Sequence, residues 1–158
     1  MARILIVEDS SAMRAYVRSA LEEQVAWQGG LDGDVEVVEA VSGFDALRLL
    51  PRGAFDLLIT DINMPDINGL ELIRFVRQSE SYGQLAVLII STQAAQRDVA
   101  RGLSLGADGF LPKPFSPEAL RRSVGAALGL RAAARAASGP PGAARSDAPG
   151  GPGGEVRG

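Results

Sequence analysis

The sequence predicts an α/β protein, a doubly wound parallel sheet of five strands with five helices on its two faces. Three observations carry this reading. Five short apolar runs, at residues 3–7 (RILIV), 35–40 (VEVVEA), 57–60 (LLIT), 85–90 (LAVLII) and 108–111 (DGFL), alternate with segments whose apolar residues recur at helical spacing. Most of these runs are apolar at consecutive positions, as strands covered by helices on both faces require. Polar residues follow the runs at their carboxyl ends, the edge where open parallel sheets bind ligands.

Taken in order, the first strand gives way to Glu8, Asp9, Ser10 and Ser11. Either serine can cap a helix whose apolar face is Met13, Tyr16, Val17, Ala20 and Leu21. That helix fades near Ala26 and Trp27, and a connection with Gly29, Gly30 and Gly33 leads to the second strand. Ser42 caps a short helix over residues 43–50, which Pro51 ends. The third strand delivers Asp61 to the turn Asn63-Met64-Pro65, where the residue before proline is pushed out of the α region. Leu70, Leu72, Ile73 and Val76 mark a third helix over about residues 68–78. The fourth strand ends in Ser91 and Thr92, and a helix over residues 94–105 stops at Gly106, suited to a left-handed C-terminal position. After the fifth strand come Lys113, Pro114 and Phe115. Ser116 and Pro117 then open the last helix as cap and first-turn proline, with Leu120, Val124, Ala127 and Leu128 as its buried stripe. Residues 1–130 form the domain on this reading, and residues 131–158 an Ala/Gly/Pro/Arg-rich tail. Residues 131–137 extend the last helix by about two turns, and residues 139–158 read as disordered.

The 158 residues, 46% of them apolar, suffice for one domain with a sizeable core. No apolar run approaches membrane-spanning length, and the N-terminus turns acidic too soon for a secretory signal, so a cytoplasmic location without membrane insertion is expected. With no Cys and no His there is no disulfide, thiolate or imidazole site. Any metal must be held by oxygen, which points to a hard ion such as magnesium or calcium. Residues 1–130 carry 12 basic and 17 acidic side chains, a net charge of −5 that argues against DNA binding. Lys113 is the only lysine among 16 basic residues, a compact ammonium where every other cation is a guanidinium.

A parallel sheet turns all its strand ends the same way. Glu8, Asp9, Asp61, Ser91, Thr92 and Lys113 therefore converge although the sequence scatters them. Carboxylates within about 4 Å repel by roughly 4 kcal/mol per pair at an effective dielectric near 20. The compensation available is a divalent cation and the Lys113 ammonium. An acidic pocket with one such ion, one lysine and one hydroxyl suits phosphoryl transfer to a carboxylate nucleophile, and Asp61, after the central strand, is the candidate.

The motifs ILIVEDS, LLITDINMPDINGLEL, VLIIST and GADGFLPKPF, spread over residues 3–130, resemble those of the CheY-like receiver domains of bacterial two-component response regulators, which have a flavodoxin-like fold. The resemblance implies that Asp61 is phosphorylated from a histidine kinase or phosphotransfer protein. It implies that Glu8, Asp9, Asp61 and the backbone carbonyl of Asn63 hold Mg2+, that Ser91 bonds the phosphoryl group and that Lys113 is the family's lysine. Phe110 corresponds to the aromatic switch, and the Lys113–Pro114 bond to one that is often cis. The face made by helix four, strand five and helix five is then the docking site of a protein effector, in motility or another pathway. Phe at 110 where Tyr is common, Thr92 where many relatives have Ala, and the longer connection over residues 26–34 depart from the family pattern.

On the same resemblance the chain is a single-domain signalling phosphoacceptor rather than an enzyme. A phosphate sink for a kinase that serves another regulator is the alternative role, and a phosphorylation-independent interaction domain a further one. A phosphohydrolase working through an aspartyl phosphate would need an acid where Asn63 stands. A flavin binder would place a phosphate loop where Glu8 and Asp9 would repel it.

Overall fold

The computed structural model describes residues 2–23, 35–92 and 96–138. The connection over residues 26–34, the start of the fourth helix at Ala94 and the disorder expected over residues 139–158 lie outside them; the first helix, expected to fade near Ala26 and Trp27, ends earlier, at Glu22, where Glu23 turns extended and its amide bonds the Ser19 carbonyl. The described elements run β1 (Ala2–Val7), α1 (Ser11–Glu22), β2 (Val35–Ala40), α2 (Gly43–Leu49), β3 (Leu57–Asp61), α3 (Gly69–Gln78), β4 (Ala86–Ser91), α4 (Gln96–Leu105), β5 (Gly109–Pro112) and α5 (Pro117–Ser138). One parallel sheet in the order β2-β1-β3-β4-β5 holds all five strands. The α/β fold with a five-stranded parallel sheet and five helices is thus the one the sequence predicts.

The strand residues alternate between two cores, as a period of two dictates. Leu5, Val7, Leu58, Val87 and Ile89 pack beneath α2, α3 and α4 with Leu72, Ile73, Val76 and Val99. Ile4, Ile6, Leu57, Ile59, Leu88 and Ile90 face α1 and α5 with Val17, Leu21, Leu120 and Val124. Both faces are dry, which is why the strands are apolar at consecutive positions.

Local signals place the helices. Ser10 accepts from the Met13 amide and Ser42 from the Asp45 amide at the N-termini of α1 and α2. Asn68 and Glu71 form a reciprocal capping box on α3. Gly106 follows α4 with φ of +118°. Ser116 accepts from the Ala119 amide at the head of α5.

Several boundaries differ from expectation for physical reasons. The second helix ends at Leu49, one residue earlier than expected, and Pro51 sits in the first turn of a 3-10 segment, Leu50–Arg52, that follows it, where its missing N–H costs no bond. β3 extends one residue to Asp61, which still pairs with Ile90, and β4 extends to Ser91, which pairs with Pro112. β5 begins at Gly109 because Asp108 bonds across to Val87 with its carboxylate as well as its amide, at 2.9 and 2.8 Å. The last helix, by contrast, extends over residues 131–137 as expected and ends at Ser138, and Arg131 and Arg135 reach back from it to Asp108 and Gln84.

Candidate functional site

β1 and β3 are neighbours in the sheet, but the chain leaves them in opposite directions, to β2 on one side and β4 on the other. Such a switch point opens a crevice at the carboxyl ends of the strands. Glu8 and Asp9 leave β1 into it and Asp61 ends β3 beside them. One carboxylate oxygen from each of Glu8, Asp9 and Asp61 lies within 4.8 Å of the others. Glu8 is buried at 1% exposure and Asp61 at 8%, while Asp9 faces solvent.

Lys113, one residue past β5, reaches across two strand positions to this cluster. Its Nζ donates to Glu8 Oε1 at 2.7 Å and to Asp61 Oδ2 at 2.9 Å. Its backbone is fixed by an amide bond to the Ser91 carbonyl at 2.7 Å, and the Lys113–Pro114 peptide is cis, as the resemblance implied. Burial pulls the lysine pKa down, but bonds to Glu8 and Asp61 and their charges more than reverse this, leaving it raised. The Glu8 pKa is also raised: burial outweighs the Lys113 bond and the Ser10 amide bond, and the neighbouring Asp9 carboxyl adds to it.

Asp61 is further held through Oδ1, which accepts from the Asn63 backbone amide at 3.2 Å. Asn63 thus stands in the turn that wraps the aspartate. Ser91 is fully buried at the end of β4, and among the described residues its hydroxyl donates only to the carbonyl of Thr92, at 3.3 Å. A bond that long is near the limit of the hydrogen-bond range and leaves the hydroxyl ready to change partner. Phe110 on β5 is half-buried against the core beneath α3 and α4. Glu8, Asp9, Asp61, Asn63, Ser91 and Lys113 all come from the one strand-end edge, and Phe110 lies three residues before Lys113.

Three supporting residues escaped sequence reasoning. Gly69 begins α3 directly against the β3 terminus: its amide bonds the Ile62 carbonyl at 2.8 Å, and any Cβ there would collide with the Asp61 carbonyl oxygen. A glycine immediately after a capping asparagine was the available signal. Arg14, one helical turn after the Ser10 cap, donates to the Glu8 carbonyl at 2.7 Å. Tyr16 donates to the Phe115 carbonyl at 2.6 Å and stacks edge-on against its ring, tying α1 to the loop that carries Lys113.

The donor set suits a hard divalent ion. It is all oxygen, it gathers three carboxylates, and none of the described ion pairs involves Asp9. With one ammonium against three acids the site is short of positive charge.

The response regulator receiver domain model matches residues 4–125. The chain is 33% identical over 128 residues to the chemotaxis protein CheY homolog of Campylobacter jejuni, covering 80% of this chain and 92% of that protein. It is 34% identical over 122 residues to the chemotaxis protein CheY of Pseudomonas aeruginosa, covering 77% and 92%. Among solved structures, the chemotaxis response regulator CheY4 of Vibrio cholerae superposes with a TM-score of 0.67 at 33% identity, covering 78% of this chain and 96% of that one.

Proposed function

This chain belongs to the response regulator receiver family of two-component signalling, and from that premise we propose that Asp61 accepts a phosphoryl group from the phosphohistidine of a histidine kinase or phosphotransfer protein. The observation that supports this most is the clustering of Glu8, Asp9 and Asp61 at the strand-end crevice, with a single lysine bonded to Glu8 and Asp61. In the transfer an Asp61 carboxylate oxygen forms a bond to phosphorus, the bond from phosphorus to the donor nitrogen breaks, and the leaving imidazole takes up a proton. Glu8, Asp9, Asp61 and the Asn63 backbone carbonyl hold Mg2+, which supplies charge neutralisation for the phosphoryl oxygens.

The chain's own residues do the rest. Lys113 exchanges its bond to Asp61 Oδ2 for one to a phosphoryl oxygen and keeps Glu8. Ser91 turns its hydroxyl from the Thr92 carbonyl to another phosphoryl oxygen. Phosphorylation adds about 1.5 to 2 negative charges. The movement of Ser91 and Lys113 toward them repacks the ends of β4 and β5 and turns Phe110 inward. The face of α4, β5 and α5 then changes its affinity for a protein effector, a population shift set by the difference in contacts between two packings. The receiver unit comprises residues 1–130, with the last turns of α5 laid against it. It works in the cytoplasm, without DNA binding, as a phosphoacceptor that also loses its phosphoryl group to water. The relatives named as chemotaxis proteins favour motility control as its pathway. No described helix is long and apolar enough to cross a membrane.

Intact-mass measurement with acetyl phosphate and Mg2+ tests the assignment. One phosphoryl group is expected on the wild type, none without Mg2+ and none on Asp61→Asn. Stoichiometric labelling of Asp61→Asn would contradict it.

A further inference from the structure

A groove of about 460 Å3 runs between α3 and α4, formed by those two helices and the Asn68 cap without β5 or α5. Its floor and walls are Leu70, Ala100 and Leu105, and Arg74 and Arg101 stand on opposite sides of it. It continues over α3 past Arg74 to Phe75, which is 48% exposed. The groove exists because α4 sinks onto the sheet at Gly102, where a Cβ would collide with Ile89.

The arginines here differ from the others. Arg3, Arg14, Arg18, Arg48, Arg77, Arg121 and Arg131 are all ion-paired. Among the described residues, only Arg52, Arg74, Arg97, Arg101 and Arg122 have side chains with no bond or ion pair. Three of these five lie on α3 and α4, with Arg97 and Arg101 one turn apart on the same side of α4. Glu71, the acid in the groove wall, has its carboxylate turned back onto the Asn68 amide at 3.4 Å as part of the α3 cap. Asp98, half-buried on α4, makes no ion pair among the described residues. An acidic domain has therefore left a local group of uncommitted cations around an apolar groove.

We propose that this groove docks an acidic amphipathic helix of a protein partner. Two apolar side chains at i and i+4 would enter between Leu70, Ala100 and Leu105, and flanking Asp or Glu would meet Arg74, Arg97 and Arg101. The volume lies in the range of about 300–1,000 Å3 typical of ligand pockets, room for anchoring side chains rather than for a whole element. The surface is separate from the α4–β5–α5 face and shares only α4 with it. The domain's net charge of −5 weighs against nucleic acid as the occupant.

A phage-displayed library of helical peptides, depleted on Arg74→Glu/Arg101→Glu and selected on the wild type, tests this. Both arginines are exposed and unbonded, so the variant keeps the fold, which its circular dichroism melt verifies. Enriched peptides are expected to carry an apolar i, i+4 pair flanked by Asp or Glu. In fluorescence anisotropy they should bind the double variant about tenfold more weakly. Arg74→Gln/Arg101→Gln should fall between, and Arg52→Glu/Arg122→Glu should bind as the wild type does. Enrichment of peptides without acids, or equal weakening by the Arg52/Arg122 control, would overturn the proposal. So would a single-stranded DNA oligonucleotide that binds through Arg74 and Arg101 where no acidic peptide does.

Discussion

At the carboxyl end of the sheet three carboxylates, Glu8, Asp9 and Asp61, gather beside one ammonium that bonds only Glu8 and Asp61; at the amino end one carboxylate, Asp108, is held between two guanidiniums. Apart from the exposed Asp9, both clusters are buried or half-buried, yet they are built to opposite rules. Asp108 Oδ2 accepts from Arg77 and from the Val87 amide, both at 2.9 Å, and Oδ1 accepts from Arg131 at 2.9 Å. Arg77 also donates to the carbonyls of Gly83, Leu85 and Gly106, so its charge is fully used. Burial, and then the like charge of Arg131, lower the Arg77 pKa, but five donors spread over four acceptors hold it in place. This end ties α3, β4, β5 and the last turns of α5 into one piece. At the other end the acids outnumber the one cation, Asp9 has no ion pair, and Ser91 keeps a long bond. A carboxylate with both oxygens occupied by charged donors marks a structural clamp; a surplus of acids with one left unpaired marks a place prepared for a ligand.

The largest effect that can break this comparison is expected at the clamp. Asp108→Ala leaves two half-buried guanidiniums without their carboxylate and should lower unfolding free energy by about 3 kcal/mol in urea titration. Phosphoryl labelling of the folded variant should survive. A loss below about 1 kcal/mol would reduce the clamp to an ordinary surface pair. The same substitution logic has the opposite sign at the crevice. Asp61 has two like charges and one opposite charge beside it, so in metal-free buffer Asp61→Asn should raise stability, by roughly 1 kcal/mol. A destabilised Asp61→Asn would mean that the bonds from Lys113 and Asn63 outweigh the repulsion.

These two clusters were not equally legible in the sequence. The crevice could be read because each of its residues directly follows an apolar run, and a parallel sheet turns all those ends the same way. Asp61 and Ser91 proved to be the last residues of their strands rather than the first of the loops, since polarity marks the approach of an end but backbone pairing decides where it falls. The clamp could not be read. Asp108 looks like the first residue of a strand, and Arg77 and Arg131 sit on helical segments where arginine ordinarily means solvent. Their partners lie 31 and 23 residues away, and only the packed sheet brings them together. Pro51 shows a limit at short range: proline rightly signalled the end of the α-helix, but not the 3-10 turn that carries the chain past it. Gly69 was hidden for another reason, since what makes it necessary is the Asp61 carbonyl oxygen across the turn.

The contrast between an acid-rich crevice and a fully bonded carboxylate is tested most directly by thermal and urea unfolding of the wild type, Asp9→Asn/Asp61→Asn and Asp108→Asn across a Mg2+ titration. An ion held by the crevice stabilises the folded wild type by mass action, about 2.7 kcal/mol when Mg2+ reaches 100 times its dissociation constant. Asp108→Asn should gain the same increment from a lower starting point, and Asp9→Asn/Asp61→Asn should gain none. Equal stabilisation of Asp9→Asn/Asp61→Asn, or none of the wild type, would contradict the assignment of the crevice as the cation site.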